Sequence, residues 1–213
     1  MIDYLESFKH TYDKQSPVVV ADSGYGSEQN YEYMFSNGIT PYVKYNMFHA
    51  ETKRKYKKNI FLSANFKYDK ESDSFICPNN KRLNKIENIT VISELGFQSE
   101  VTRYKAEDCS QCPYRQECYK GKSISRIIEV NHKLKEYKNK ARKLLESEEG
   151  LMHRSRRPIE PEAVFGDIKY NHDFKRFRLR SKAKVIIEFG LVALAHNIRK
   201  WANIRKEMTP IKS

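Results

Sequence analysis

The chain has 213 residues, which allows one full domain or a domain with an insertion. Its net charge of +13 and its 12% of aromatic residues favour a polyanionic partner and offer stacking surfaces. No apolar stretch is long enough to span a bilayer, and the start MIDYLESFKH lacks the features of a signal peptide, so we expect a soluble, cytoplasmic protein with no membrane partner.

The first 46 residues show the pattern of an α/β unit. Residues 2–14 carry apolar side chains at helical spacing, and the β-branched run at 17–21 predicts a short buried strand. A turn at 22–26 leads into a helix expected over 27–35, with a serine at its N-cap. A second strand is expected over 39–45. This order of elements predicts an α/β fold with parallel strands.

Residues 47–157 have a different pattern, and we expect an inserted, mainly β subdomain there. The basic run at 51–58 has no apolar face, which predicts an exposed loop or a frayed helix. A charged helix with an apolar stripe is expected over 128–148, as the return path from the insertion. Between them lie four short candidate strands, at 66–68, 74–77, 89–92 and 101–104.

Residues 158–213 are expected to belong to the main domain again. Pro158 and Pro161 are tolerated in a first helical turn, so Glu162 is expected near the N-terminus of a helix. The last helix is expected over 181–206. It is apolar on nearly every side around 185–195 and too short there to cross a membrane, so we expect it to be buried in the core.

The spacing of Glu162 and Lys169 is the first chemical signal. Seven residues are close to two helical turns, so both side chains are expected on one face, about 10 Å apart. A carboxylate, a lysine and a basic ribbon suit metal-dependent chemistry on a phosphate backbone. The alternative is an amphipathic helix with a solvated basic end. The basic ribbon is residues 174–180, whose cations are Lys175, Arg176, Arg178 and Arg180.

Asp22 is the second signal. It directly follows a predicted buried strand and precedes Gly-Tyr-Gly, at the carboxyl edge of an α/β sheet, where sites gather. The alternative is a turn aspartate that caps the next helix. Asp22 and Glu162 can meet in the fold, and carboxylates that hold Mg²⁺ or Mn²⁺ are the usual device for in-line phosphodiester chemistry. Lys169 and Arg176 would then bind backbone phosphates without reading the base sequence.

The four cysteines are the third signal. Cys109-x2-Cys112-x5-Cys118 has the spacing of metal ligands, and Cys77 lies in a candidate hairpin that can supply a fourth thiolate. A tetrahedral Zn²⁺ site would stabilise a small β insertion that lacks a sizeable core. The alternative is four reduced cysteines without a metal.

The six histidines show no paired ligand spacing. A surface or core position is therefore expected for each of them. The sequence also contains no nucleophile elbow, no P-loop and no Gly-x-Gly-x-x-Gly motif.

Two segments resemble those of a known family. Residues 19–31, VVADSGYGSEQNY, resemble the segment around the second aspartate of bacterial insertion-sequence DDE transposases. Residues 159–169, IEPEAVFGDIK, resemble the glutamate segment of the transposases with a Tyr-x2-Arg-x3-Glu-x6-Lys signature. Arg-Phe-x-Leu-Arg at 176–180 and Ala-His-Asn-Ile at 195–198 continue the match, and the cysteine-containing insertion resembles one branch of the group. The likeness covers essentially the whole chain.

This resemblance implies a partial RNase H-like fold interrupted by the insertion at 47–157. The second catalytic aspartate would lie in 1–46 and the catalytic glutamate in 158–213. Asp22 and Glu162 would be the catalytic acids that bind Mg²⁺ or Mn²⁺, and Lys169 would contact DNA near the cleaved end. The partners would be the element ends and the target DNA, and the intact enzyme can be a homo-oligomer.

The chain departs from the family pattern in two places. The tyrosine and arginine of the signature would fall at Ser155 and Pro158, so Arg157, one place off, is the candidate substitute for DNA contact. No acid before Asp22 follows a buried strand, so the first catalytic aspartate and the strands around it are absent. We therefore expect the C-terminal part of a transposase, from a truncated or disrupted gene, with little or no activity alone.

Two other hypotheses stay open. A non-catalytic, zinc-stabilised DNA-binding module would need the cysteines and the basic ribbon but not Asp22. A remnant that folds poorly would result if a sheet without its first strands exposed an edge and part of its core.

Overall fold

The computed structural model describes residues 1–157 and 163–208. The chain divides into two compact units, Met1–His153 and Arg154–Ser213. Glu162 and the start of the helix predicted at Pro158 and Pro161 lie outside the described residues. The predicted mixed α/β class is confirmed. The division at residue 47 stays a prediction.

The first unit begins with the predicted α/β segment. Helix α1 (Ile2–Tyr12) precedes β1 (Val18–Ala21), and α2 (Glu28–Ser36) leads into β2 (Thr40–Val43). Strands β1 and β2 are parallel, as predicted, with Val18 opposite Thr40. Two short helices, α3 (Phe48–Thr52) and α4 (Arg54–Lys58), follow and take up the basic run.

Local signals in the sequence set both ends of α2. The Ser27 hydroxyl accepts a hydrogen bond from the Asn30 backbone N–H at 3.3 Å, which satisfies one of the unpaired donors of the first turn. Gly38 follows the helix with φ +69°, a left-handed conformation that favours glycine. Tyr31 and Met34, three residues apart on one face of α2, are fully buried.

The second part of this unit is an antiparallel sheet in the order β3-β4-β5-β6-β7. The predicted hairpin is present, but the next two strands are longer than predicted and form a two-stranded arm with a bulge between Lys85 and Glu87. The strands are β3 (Lys67–Asp69), β4 (Ser74–Ile76), β5 (Arg82–Ile92), β6 (Gln98–Ala106) and β7 (Ile127–Val130), and helix α5 (Arg115–Cys118) lies between the last two.

The sheet has a hydrophobic core of its own, separate from that of the α/β segment. Its buried members include Phe75, Leu83 and Tyr104, whereas the α/β core contains Tyr31 and Val43. Five strands with a filled apolar face are enough for independent stability.

The helix predicted over 128–148 begins later than predicted, so the prediction is wrong for its first residues. Residues 127–130 form β7, because their backbone groups pair with β6 and Ile128 enters the sheet core. Helix α6 spans His132–Glu146, and Asn131 caps it by accepting a hydrogen bond from Leu134 N–H at 2.7 Å. Helix α7 (Glu148–Arg156) follows.

Helix α6 connects the two cores. Ala141 and Leu145 on its apolar stripe are buried with the α/β segment. At its other end the His132 ring packs on Tyr104 of the sheet, and the Tyr104 hydroxyl lies 2.8 Å from His132 Nε2. Tyr104 also donates to Asp73 at 2.6 Å, and this bond is the main cause that lowers the pKa of Asp73 to about 2.

The second unit contains α8 (Ala163–Gly166), a π-helical turn (Asp167–Asn171) and the long helix α9 (Lys182–Met208). The expectation that α9 is buried is wrong. Several apolar side chains on it are more than half exposed, among them Ile186, Leu191 and Trp201. The segment is apolar on nearly every side, whereas the loop that packs on it covers only part of its surface. Within the described ranges, no helix is long and apolar enough to cross a membrane.

The loop after β1 passes close to the backbone that follows β2. Asp22 begins a short 3₁₀ turn (Ser23–Tyr25), and Gly26 ends it. A Cβ atom at Gly26 would lie 2.4 Å from the Lys44 carbonyl oxygen and 2.6 Å from Tyr45 Cα, whereas one at Gly24 would meet nothing within 4 Å. The second glycine of Gly-Tyr-Gly is therefore required by packing and the first is not.

We expect Gly26→Ala to destabilise the first unit and Gly24→Ala to leave it nearly unchanged. The clash at position 26 is with backbone atoms, which cannot move cheaply, and overpacking of this kind costs about 1–3 kcal/mol. Urea unfolding followed by circular dichroism measures the difference. Equal stability of the two variants would contradict the close approach, and the absence of a cooperative transition in the unmodified chain would support the poorly folded remnant.

Candidate nucleic-acid interface

Asp22 lies where the sequence predicts it, directly after β1 at the carboxyl end of the parallel pair. Its side chain is exposed and does not cap the 3₁₀ turn, and the next helix is capped by Ser27 instead. The structure therefore does not support the alternative in which Asp22 is only a capping residue.

A buried carboxylate lies six residues after Asp22. Glu28 is 6% exposed, and its Oε2 accepts a hydrogen bond from Asn131 Nδ2 at 2.6 Å. Since Asn131 is also the N-cap of α6, this one side chain ties the helix after the sheet to the helix after Asp22. Glu28 was not predicted, because a single glutamate in a helix carries no signal of its burial.

Lys169 lies in the π-helical turn of the second unit and is exposed. Its Nζ is 5.8 Å from the centre of the Tyr170 ring. The next residue toward the N-terminus, Ile168, is 6% exposed and anchors the turn. Glu162 lies outside the described residues, so its spacing of about 10 Å from Lys169 stays a prediction. The joint site of Asp22 and Glu162 therefore stays a prediction.

The basic ribbon is an irregular segment whose cations point outward. Lys175, Arg176, Arg178 and Arg180 are all exposed, and Lys175 pairs with Asp173 at 2.7 Å. The centroids of the Phe174 and Phe177 rings are 5.4 Å apart, and Phe177 also contacts Phe189 of α9. The predicted alternation of cations with apolar residues is thus present in space as well as in sequence.

Glu188 fixes the backbone of the ribbon to α9. Its carboxylate accepts hydrogen bonds from the N–H groups of Arg178 at 2.9 Å and Leu179 at 3.0 Å. A charged acceptor strengthens such bonds. The sequence signal was available, because Glu188 is the only acid in an otherwise apolar stretch.

A carboxylate between two histidines holds the π-helical turn. Asp167 Oδ2 lies 3.2 Å from both His172 Nε2 and His196 Nδ1. The hydrogen bond from Asn171, followed by the charge of His172, lowers the pKa of Asp167 below its ordinary value. Neither histidine was predicted to have a partner, because they are 24 residues apart and show no paired spacing.

Arg157, the candidate substitute for the arginine of the signature, directly follows α7 and is half-buried. Its side chain has an interaction partner. Its role in DNA binding stays a prediction.

The four cysteines line one small cavity of about 20 Å³. This is close to the volume that a single water molecule needs. All four thiols are free and half-buried. Over residues 1–157 and 163–208, however, no three His, Cys, Asp or Glu side chains are placed to hold a metal ion. The donor set suits Zn²⁺, but the positions of the sulfur atoms do not form a closed site.

Two arginines hold the cysteine-containing loop. Arg126 donates to Cys118 Sγ at 2.9 Å and to the Cys118 and Phe61 carbonyl oxygens. Arg115 donates to the carbonyl oxygens of Gly121 and Ser123, each at 2.8 Å. The loop therefore has polar internal support besides any metal.

One comparison with known proteins identifies the family. A family model described as a transposase DDE domain matches residues 76–202, which is more than half of the chain. The span contains the four cysteines, Glu162, Lys169 and the basic ribbon, whereas Asp22 lies before it. No curated protein and no solved structure was found to match. The chain belongs to the family of transposase DDE domains.

Proposed function

We propose that this chain binds DNA through Lys169 and the basic ribbon, as part of a site for metal-dependent strand cleavage and strand transfer on an RNase H-like fold. The observation that carries the proposal is the family match, which contains the glutamate and lysine of the signature in the same segment. The exposed cations of the ribbon support it, because phosphate contacts supply most of the affinity of proteins for DNA.

Asp22 and Glu162 are the residues that would hold Mg²⁺ or Mn²⁺. Carboxylate oxygens are the ligands that these ions prefer, and the exposed position of Asp22 at the strand end suits a site shared with a phosphate. The ions would activate the attacking oxygen and stabilise the leaving oxygen of the phosphodiester. Lys169, Arg157, Arg176 and the other cations of the ribbon would bind the phosphates of the DNA backbone.

The ribbon can be tested by neutralising its arginines. We expect the triple substitution Arg176→Gln, Arg178→Gln and Arg180→Gln to weaken duplex binding and to reduce the slope of log K against log salt by about 2–3, since each lost phosphate contact removes about 0.9. Fluorescence anisotropy over a range of salt concentrations measures both quantities.

The matched control makes the same change of charge on the sheet. Lys67→Gln, Lys70→Gln and Lys105→Gln remove three exposed cations of the first unit. An equal loss of slope in the control would mean that binding follows net charge alone, and the ribbon would then not be the DNA contact.

Cleavage is expected to be absent from the purified 213-residue chain. The resemblance implies three metal-holding acids, whereas the acids before Asp22 lie on α1, such as Asp3 and Glu6, or directly after it, as Asp13 does. A labelled duplex incubated with Mg²⁺ or Mn²⁺ tests for nicks. Robust cleavage that is lost in both Asp22→Ala and Glu162→Ala would contradict this expectation.

The cysteine cavity favours a second candidate function, a zinc-stabilised DNA-binding module without catalysis. Its supporting observation is that Cys77, Cys109, Cys112 and Cys118 line one cavity although 41 residues separate the first from the last. The sulfur atoms would have to move from their present positions to form a tetrahedral site. The two functions differ at Asp22, since only a catalytic site needs its carboxylate.

This second function predicts one zinc per chain after purification under reducing conditions, measured by plasma mass spectrometry. Cys112→Ser should lose the metal and lower the melting temperature, because a structural zinc site contributes directly to folding. Ser110→Ala changes a residue between Cys109 and Cys112 and should leave both the zinc content and the melting temperature unchanged. A metal-free chain with an unchanged melt in the presence of a chelator would show that the cysteines are simply reduced thiols.

A further inference from the structure

Asp167 lies inside the signature segment, five residues after Glu162 and two before Lys169. Both of its carboxylate oxygens accept hydrogen bonds. Oδ1 accepts from Asn171 Nδ2 at 2.7 Å, and Oδ2 lies 3.2 Å from a nitrogen of His172 and from a nitrogen of His196. Both oxygens of Asp167 therefore have hydrogen-bond partners within its own unit, although cations lie near it in the sequence.

These contacts join the π-helical turn to α9. His196 and Arg199 are three residues apart on α9, so they lie on one face. Arg199 Nη1 lies 2.7 Å from His172 Nδ1 and also contacts His172 Nε2, and the same imidazole ring lies 3.2 Å from Asp167. The four side chains form a closed path from α9 to the turn and back to α9.

The turn depends on such contacts for its direction. Helix α8 has four residues and the π-helical turn has five, and helices this short are not stable by themselves. Ile168 supplies an apolar anchor and Asp167 the neighbouring polar one. Lys169 is the next residue, so the side-chain direction of the lysine follows from how these two are held.

We propose that Asp167 is a positioning residue that orients Lys169 toward a DNA phosphate through its bonds to His196 and His172. This inference rests on the proposed contact of Lys169 with DNA. It predicts a change in DNA affinity opposite to the change that charge alone predicts. Removing a negative charge from a basic surface should tighten DNA binding, whereas loss of the positioning bond should weaken it.

The experiment compares Asp167→Asn with Asp173→Asn. Both variants remove one carboxylate charge from the same segment, but Asp173 is 80% exposed and its one described ion pair is with Lys175. Duplex affinity is measured over a salt series by fluorescence anisotropy. We expect Asp167→Asn to bind roughly fivefold more weakly, with a salt slope lower by about one, as for the loss of one phosphate contact. Asp173→Asn should bind equally or more tightly.

A double-mutant cycle with Lys169→Ala identifies the route of the effect. If Asp167 acts through Lys169, the double variant should bind no more weakly than Lys169→Ala alone. Conservative rescue adds a second check. His196→Asn keeps a donor near the position of Nδ1 and should retain affinity, whereas His196→Phe should lose it. Thermal melts of all variants confirm folding, and the two His196 variants decide the question if Asp167→Asn does not fold.

The outcomes separate the two proposals. If Lys169→Ala leaves affinity and salt slope unchanged, the proposed lysine contact is wrong and the positioning role falls with it. If Lys169→Ala weakens binding but Asp167→Asn tightens it as Asp173→Asn does, only the positioning role is overturned. Additive losses in the double variant would likewise show that Asp167 acts independently of Lys169.

Discussion

The bond between Glu28 and Asn131 is the constraint on which the first unit depends. A carboxylate that is 6% exposed needs hydrogen-bond partners, because burial of an unpaired charge is costly. Its partner is a residue that must also cap α6. The helix that leaves the sheet therefore starts at one fixed point beside α2, and its stripe of Ala141 and Leu145 then falls on the parallel strands. The sheet and the α/β segment are joined by this helix rather than by a common core.

The second unit uses the same device on α9. Glu188 accepts from the backbone of the basic ribbon, and His196 bonds to Asp167 of the π-helical turn. Neither the ribbon nor the turn has enough regular structure to hold its own shape. In each case a carboxylate on one element is satisfied by donors on another, and the cations beside it remain directed outward. The basic ribbon and the π-helical turn therefore both take their geometry from α9.

The sequence predicted the elements whose signals are local. The parallel strands, the cap at Ser27 and the first hairpin follow from periodicity, β-branched residues and turn chemistry, and all are confirmed. It did not predict β7. The apolar and charged residues at 128–130 also fit the start of an amphipathic helix, and the pairing with β6 that makes them a strand is not visible in the sequence. It also misplaced α9, since an apolar segment indicates burial without showing what covers it. The bond between Asp167 and His196 and that between Glu28 and Asn131 join residues far apart in sequence, and no local pattern encodes them.

The distribution of acids changes what the net charge of +13 means. Glu28, Asp167 and Glu188 each accept hydrogen bonds from donors within their own unit, so their acceptor oxygens are used inside the fold although their negative charge remains. Among the described residues, the one ion pair of a ribbon cation is that of Lys175 with Asp173. A polyanion that approaches the ribbon therefore meets exposed cations on an ordered backbone, an arrangement that the net charge of the chain does not describe. Removal of one of these acids strengthens the electrostatic attraction of DNA slightly, but it also removes the bonds that hold the cations in place. For a rigid duplex, the fixed positions of the cations should contribute more to affinity than the change of one charge.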